Sequence, residues 1–238
     1  MLVDKILEGI SKEEAERVRM NPVRMSSGGH CARKIGYQMH GYPAEPIPAR
    51  GLMVFRLGDT IESEIKALIQ KYCPEDYLIE YPKDPISVTI NGVEVQGHVD
   101  GVIKLPSPAV LEIKSINTLG FKRLATEGIS YDYRCQATFY MKALKLQRTV
   151  FIFYDKNTSH IEQFTYEYDP KLWEEIEQRF QNVLKSEKDN LPEREFGPNE
   201  KGKLPWQCSY CSFNKDCWPE AETVFEKGKP QMFIRQAI

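Results

Sequence analysis

Three thiols stand within ten residues near one end of this chain, in Cys208-Ser-Tyr-Cys211-Ser-Phe-Asn-Lys-Asp-Cys217, and a fourth, Cys31, stands near the other. Clustered thiols in a reducing compartment mark a metal or cluster site. Such a site needs four ligands, and Cys31, in His30-Cys-Ala-Arg-Lys, is the candidate for the missing one. A site that uses all four ties an N-terminal segment to a C-terminal one. It closes a very long loop, so ligand binding becomes folding energy. Four thiolates suit a 4Fe–4S cluster and also suit zinc, and ligand type does not separate the two. A zinc site that includes His30 or His40 is the rival arrangement. No coordination position is left open for a substrate, so the expected role is structural.

Six cysteines would allow three disulfides in a secreted protein. The chain has 238 residues, enough to bury a core without them, and Met1-Leu-Val-Asp-Lys lacks the apolar stretch of a secretory signal. Acidic Glu13, Glu14 and Glu16 argue against an organelle transit peptide. A cytoplasmic protein with reduced thiols is expected, with Cys73 and Cys135 as buried free thiols outside the cluster. Hydrophobic residues at 41% and charged residues at 28% match a soluble globular protein. No apolar run approaches the ~20 residues of a membrane helix, so no membrane partner is expected. A net charge of −2 does not exclude nucleic acid, because metal-binding carboxylates add negative charge that the metal reverses locally.

The length favours one domain over 1–238 with embellishments. Residues 1–20 read as helical, with Ser11-Lys-Glu-Glu14 as a capping box that restarts a short helix. After the loop Ser26-Ser27-Gly-Gly a helix runs through Cys31, Ile35 and Met39, and Pro43, Pro46 and Pro48 end it. Residues 51–72 form a helix whose stripe is Phe55, Ile65 and Ile69, with Glu62 on the same stripe. Strands are expected at Tyr77–Tyr81, Ile86–Ile90, Val93 to Ile103, and Ala109–Ser115; Asn91-Gly92 is a two-residue hairpin signal. Helices at Leu119–Thr126 and Tyr131–Leu146, strands at Arg148–Tyr154 and His160–Tyr168, and an amphipathic helix over 170–188 follow. The last has Leu172, Ile176, Phe180, Val183 and Leu184 on one face. This order gives an α/β (α+β) fold with a mixed central sheet flanked by helices.

Alternate residues of a strand share a face. Glu112 and Lys114 therefore point together, while Leu111 and Ile113 point into the opposite layer. His98 and Asp100 share a face of the earlier strand. If the two strands are neighbours, Asp100, Glu112 and Lys114 converge. Two acids and an amine suit phosphodiester hydrolysis: carboxylates hold a hard cation such as Mg2+ or Mn2+, and the amine steadies developing charge. The competing arrangement is a solvated strand with a surface salt bridge. Glu62, on an apolar stripe, needs a partner for its charge, or else sits at the stripe's solvated edge.

Gly97-His-Val-Asp100-Gly and Leu111-Glu-Ile-Lys-Ser115 resemble the second and third motifs of the PD-(D/E)xK nucleases. Gln136-Ala-Thr-Phe-Tyr140 matches the Gln-x-x-x-Tyr motif of the RecB-like branch, and Gly58-Asp-Thr-Ile-Glu62 its first motif, where many members carry His. The Cys31 segment and the C-terminal thiol trio are similar to the iron–sulfur RecB-like nucleases, which include AddB-type, CRISPR-associated and phage members. The resemblance implies a restriction-endonuclease-like fold, with 51–190 as nuclease core and with 22–42 and 192–220 as an iron–sulfur clamp. It implies Glu62, Asp100, Glu112 and the carbonyl of Ile113 as ligands of Mg2+ or Mn2+, and Lys114 acting on the nucleophile. Gln136 and Tyr140 would position DNA or support Lys114. Cys31, Cys208, Cys211 and Cys217 would hold the 4Fe–4S cluster, with zinc as the alternative.

Arg33, Lys34, Arg56, His98, Lys122 and Arg123 lie in segments that should surround the site and are candidate phosphate contacts. Tyr37, Tyr131 and Tyr133 can stack on bases or serve the core. No Gly-x4-Gly-Lys-Ser/Thr loop is present, so no ATP-driven motor is built in. The expectation is a DNA exonuclease acting on single strands or DNA ends in recombination, repair or CRISPR adaptation. A separate helicase, recombinase or CRISPR adaptation protein is an expected partner. The alternative is a non-catalytic DNA-binding or assembly subunit that keeps the fold. The apolar Met232-Phe-Ile stretch is a candidate partner-docking segment.

Overall fold

In the computed structural model, which describes residues 1–17, 23–73, 79–104 and 107–234, the chain opens with α1 (Leu2–Glu16), a 3-10 turn (Met25–Ser27), α2 (Ala32–Met39) and α3 (Ala49–Tyr72). Strands β1 (Ile79–Glu80), β2 (Ile86–Ile90), β3 (Val93–Gly97), β4 (Gly101–Ile103) and β5 (Ala109–Ile116) follow. Helices α4 (Thr118–Glu127) and α5 (Tyr131–Leu144) precede β6 (Arg148–Asp155), β7 (Ile161–Glu167) and α6 (Pro170–Leu184). Next come α7 (Trp206–Ser209), α8 (Asn214–Cys217), β8 (Ala221–Glu226) and β9 (Lys229–Ile234). The backbone divides into two units, Met1–Gly29 with Pro48–Phe180, and His30–Ile47 with Gln181–Ile238.

The first unit holds the central sheet, in the order β1-β4-β5-β6-β7. Only β5 and β6 pair in parallel; the other described pairs are antiparallel. A parallel pair needs a crossover, and α4 and α5 supply it. Strand β5 is buried from Ala109 through Ile113, which explains its near-continuous apolar run. On one face Leu111 and Ile113 pack with Ile103, Val150 and Ile65 of α3. Phe151 and Phe153 of β6 and Phe139 of α5 are fully buried. Each such side chain contributes roughly 1.5–3 kcal/mol by leaving water.

Several expectations need correction. The turn at Asn91-Gly92 forms as expected, both residues having positive φ (49° and 78°). The return strand, however, breaks at 98–100. Its first part, β3, pairs with β2 in a separate two-stranded sheet, and its second part, β4, joins the central sheet. His98 and Asp100 therefore do not share a strand face. Helix α1 runs through Ser11 without restarting, because a lone serine inside a helical run costs too little to end it. On α3 the inward face is Leu52 and Ile65 with half-buried Ile61, Glu62 and Ile69, while Phe55 is 56% exposed. Cys73, at the C-terminal cap of α3, is exposed where a buried thiol was expected. The expected strand Tyr77–Tyr81 begins outside the described residues, and Ile79–Glu80 of it is β1.

In the second unit, Leu204, Cys208, Trp218 and Met232 form a small buried cluster. Tyr37 is buried in the same unit and stacks on Phe213, ring centres 5.3 Å apart. The β8–β9 hairpin was not expected. Its turn is Lys227-Gly228, both with positive φ (49° and 73°), and Lys-Gly is a weaker turn signal than Asn-Gly. The hairpin puts Met232 at 1% exposure in its own cluster, so it is a core residue and not a docking residue. Among the described residues no helix is long and apolar enough to cross a membrane.

Candidate functional site

The site grows from the centre of β5. Glu112 and Lys114 share a face there, and their neighbours in register on β6 are Phe151 and Phe153, stacked 5.5 Å apart. Tyr133 of α5 packs on both phenylalanines, and its ring lies 5.6 Å from Lys114 Nζ. Strand register and aromatic packing thus place one carboxylate and one ammonium in a dry environment.

Glu112 is 1% exposed. Its Oε2 lies 2.5 Å from Lys114 Nζ, and its Oε1 has no hydrogen-bond partner. Burial pushes the Glu112 carboxyl up to about 8 against the pull of Lys114, and the charges of Asp100 and Glu62 add to the rise. Burial works against the Lys114 ammonium, but Glu112 and then Asp100 outweigh it and hold it charged above the usual lysine range.

Asp100 reaches the same place from the break before β4. Pairing of Gly101 with Leu111, carried one residue back, sets Asp100 opposite Glu112. Its Oδ2 accepts the Ile113 backbone N–H at 2.7 Å. Burial raises the Asp100 pKa, Lys114 lowers it and Glu62 raises it again. Glu62 arrives from α3, and its Oε1 is 2.6 Å from Lys66 Nζ. Gln136 Nε2 donates to Tyr140 Oη at 2.9 Å across one turn of α5. Tyr140 is held above the usual tyrosine range, by burial first and then by Glu112. A Cβ on Gly97 would fall 2.7 Å from Tyr140 Cε1, so glycine is what lets the ring approach β3.

The structure therefore brings Glu62, Asp100, Glu112, Lys114, Gln136 and Tyr140 into one neighbourhood. Lys66 belongs there too and was not anticipated, although its spacing of four residues after Glu62 was visible in the sequence. His98 is exposed in the break. Arg56 pairs with Glu13, and Lys122 and Arg123 are exposed on α4, with Arg123 3.9 Å from Glu127. Tyr131 hydrogen-bonds Arg179. Arg33 is bound within the other unit, its Nη1 donating to the Pro192 carbonyl at 2.8 Å.

Cys31, Cys208, Cys211 and Cys217 all belong to the second unit and carry free thiols. Burial pushes Cys208 up to about 11; the Trp218 indole donates to its sulfur, and the charges of Cys217, Cys31 and Cys211 reach it. The Phe213 N–H donates to Cys211, and Arg33 reaches Cys217. Burial raises Cys211 and Cys217 as well, against these donors and cations.

Among the described residues, no three His, Cys, Asp or Glu side chains already form a group that can hold a metal ion. In the acid centre Glu62 and Glu112 are each closed on a lysine instead. The residues nevertheless fit a divalent cation. Three carboxylates converge, and one buried carboxylate oxygen lacks any partner.

No protein-family model and no curated protein sequence matches the chain. Solved structures do. "SSO0001" is 14% identical with a TM-score of 0.57, over 91% of this chain and 96% of that one. LHK-Exo in complex with dAMP is 20% identical with a TM-score of 0.51, over 68% of this chain and 85% of that one. A second LHK-Exo structure, described as an alkaline exonuclease from Laribacter hongkongensis, is 18% identical with a TM-score of 0.49, over the same 68% and 85%. At these identities the likeness is one of fold.

Proposed function

We propose that this chain is a Mg2+- or Mn2+-dependent deoxyribonuclease that hydrolyses phosphodiester bonds of single-stranded DNA or DNA ends. The observation that carries this is Glu112, a buried carboxylate with an unpartnered oxygen, beside Asp100 and Lys114. The fold is shared with LHK-Exo, solved with dAMP, and a deoxynucleoside monophosphate is what hydrolysis from a DNA end releases.

Glu62, Asp100, Glu112 and the Ile113 carbonyl would hold the ion. Bound there, a divalent cation supplies Lewis-acid polarisation of the phosphate and a more acidic water. The Ile113 N–H holds one oxygen of Asp100, which would leave the other for the ion. Lys114, kept charged by its two acids, orients the attacking water and stabilises negative charge on the phosphate oxygens. Gln136, half-buried, would face the substrate, while Tyr140, buried and hydrogen-bonded to it, would support the centre from behind. Lys122 and Arg123, exposed on α4, are candidate backbone contacts.

The four thiols would hold a 4Fe–4S cluster or a zinc ion as a structural brace, and the RecB-like iron–sulfur nucleases are the group the motifs resemble. Recombination, repair or CRISPR adaptation, with a helicase or adaptation protein as partner, is the setting that group implies. The test compares wild type with Glu112→Gln on end-labelled single-stranded DNA in Mn2+. Release of mononucleotides by wild type alone supports the proposal. Equal cleavage by both, or none by either, defeats the enzymatic reading, and none by either favours a non-catalytic DNA-binding subunit.

A further inference from the structure

Three carboxylates meet at this centre: Glu62 raises both Asp100 and Glu112, and Asp100 raises Glu112. Lys114 offsets one of these charges. The second ammonium present is Lys66, whose Nζ is 2.6 Å from Glu62 Oε1 and whose field also reaches Asp100. A Glu–Lys pair four residues apart on a helix is usually a solvated surface pair worth a few tenths of a kcal/mol. This one differs. Its side chains are only 28% and 33% exposed, its helix packs Ile65 against β5, and the Tyr81 ring lies 5.7 Å from the ammonium.

We propose that Lys66 is the resident counter-ion of Glu62 and becomes a phosphate contact once a divalent ion takes that carboxylate. The assignment rests on the nuclease function proposed above. An ion held by Glu62 draws charge from the carboxylate and repels the ammonium now bonded to Oε1, so cation binding at Glu62 loosens Lys66. The loosened ammonium stays beside the cation, because α3 fixes its stem and Tyr81 covers one side. The cation would draw the phosphate there, and phosphate oxygens accept hydrogen bonds from an ammonium, which binds them as a point charge. Lys66 thereby links loading of the ion to readiness for DNA and sets a threshold on ion binding before substrate arrives.

The test uses the full chain, with Lys66→Met as the neutral variant, Lys66→Gln as a second should the first not fold, and Lys66→Arg as the charge-retaining control. Mn2+ affinity is measured by calorimetry without DNA. Removing a positive charge a few ångströms from the ion tightens Mn2+ binding about tenfold in Lys66→Met and not in Lys66→Arg. Affinity for single-stranded DNA is measured with Ca2+. Lys66→Met weakens it and lowers the slope of log affinity against log salt by about one phosphate contact. Unchanged Mn2+ affinity in Lys66→Met, or an unchanged salt slope, overturns the proposal. An Asp100→Asn variant separates the two levels. If it abolishes Mn2+ binding while Lys66→Met changes nothing, the cation site stands and the role of Lys66 falls. If wild type and Asp100→Asn bind Mn2+ alike, the cation site itself falls.

Discussion

Glu112 sits on a strand hydrogen-bonded on both sides, whereas Cys208 and Cys217 sit on helices of four residues each. The first position is set by long-range register and by a floor of stacked aromatics. The second belongs to a unit in which Leu204, Cys208, Trp218 and Met232 form one small buried cluster and Tyr37 and Phe213 are buried as well. Helices of one turn are not stable by themselves. A centre built on a sheet should keep its geometry whether or not the proposed ion is bound. A centre built on short turns should depend more on whatever the thiols are proposed to hold. The difference predicts how each responds to loss of a ligand.

The largest effect falls on the thiol segment. Bound metal in small sulfur sites contributes ~10–16 kcal/mol to folding in zinc-finger peptides. With the proposed cluster or zinc in place, Cys208→Ser with Cys211→Ser should therefore abolish bound iron or zinc and turn the segment after Gln181 protease-sensitive. Metal content and limited proteolysis check this; an iron–sulfur protein also loses absorbance near ~400 nm. Mn2+ affinity at the acid centre should change less than about twofold. A variant that keeps its metal and its protease resistance would erase the contrast.

The next effect is on chemistry. Glu112→Gln should lower DNA cleavage by about 10^3-fold, roughly 4 kcal/mol of barrier, while circular dichroism remains that of wild type. The sheet, not the carboxylate, sets this centre's shape. A variant that instead unfolds would show that the acid centre also depends on its ligand chemistry.

Protons compete with the ion for the same carboxylate. Burial raises Glu112 against the pull of Lys114, toward about 8, so at lower pH a proton increasingly competes with the cation. Mn2+ affinity should rise with pH toward about 8 and flatten above. In Glu112→Gln this slope should shrink sharply. Calorimetry at several pH values checks both.

Gly97→Ala is a smaller and purely geometric test. Its Cβ would stand 2.7 Å from Tyr140 Cε1 and 2.9 Å from Met25 Sδ. Overpacking of this kind costs about 1–3 kcal/mol. The melting temperature should drop, and kcat should fall more than KM rises as Tyr140 is pushed from its place.

The legible parts of the sequence are those in which local pattern and tertiary demand coincide. Leu111-Glu-Ile-Lys114 alternates as a strand must, and Gln136 and Tyr140 stand one helical turn apart, so both pairs were visible. What escaped depends on distant partners. Nothing local to Val93–Ile103 says that the strand leaves one sheet for another at 98–100; the Ile113 N–H that Asp100 accepts lies thirteen residues away. Phe55 read as core because its spacing fits Ile65 and Ile69, but the neighbouring elements cover Leu52 instead. Lys66 escaped because an i,i+4 Glu–Lys pair looks like any solvated helix face until buried acids are found beside it. Met232 looked like a docking residue because the Lys227-Gly228 turn that returns it to a core is chemically unremarkable.

Helix α1 marks the lower end of the scale. None of its residues is fully buried and Ser11 is exposed, so packing does not hide the intrinsic preference of a side chain at that position. Ser11 lies in its interior, and the capping box it forms with Glu14 on paper is not used. A mid-helix serine competes for backbone hydrogen bonds and is a poorer helix former than alanine by a few tenths of a kcal/mol. Ser11→Ala should therefore stabilise α1 by roughly 0.3–0.5 kcal/mol, with no change in cleavage or Mn2+ affinity. Hydrogen exchange of the α1 amides reads an effect that small. Slower exchange in the variant supports a continuous helix, whereas faster exchange means that Ser11 caps a second helix after all.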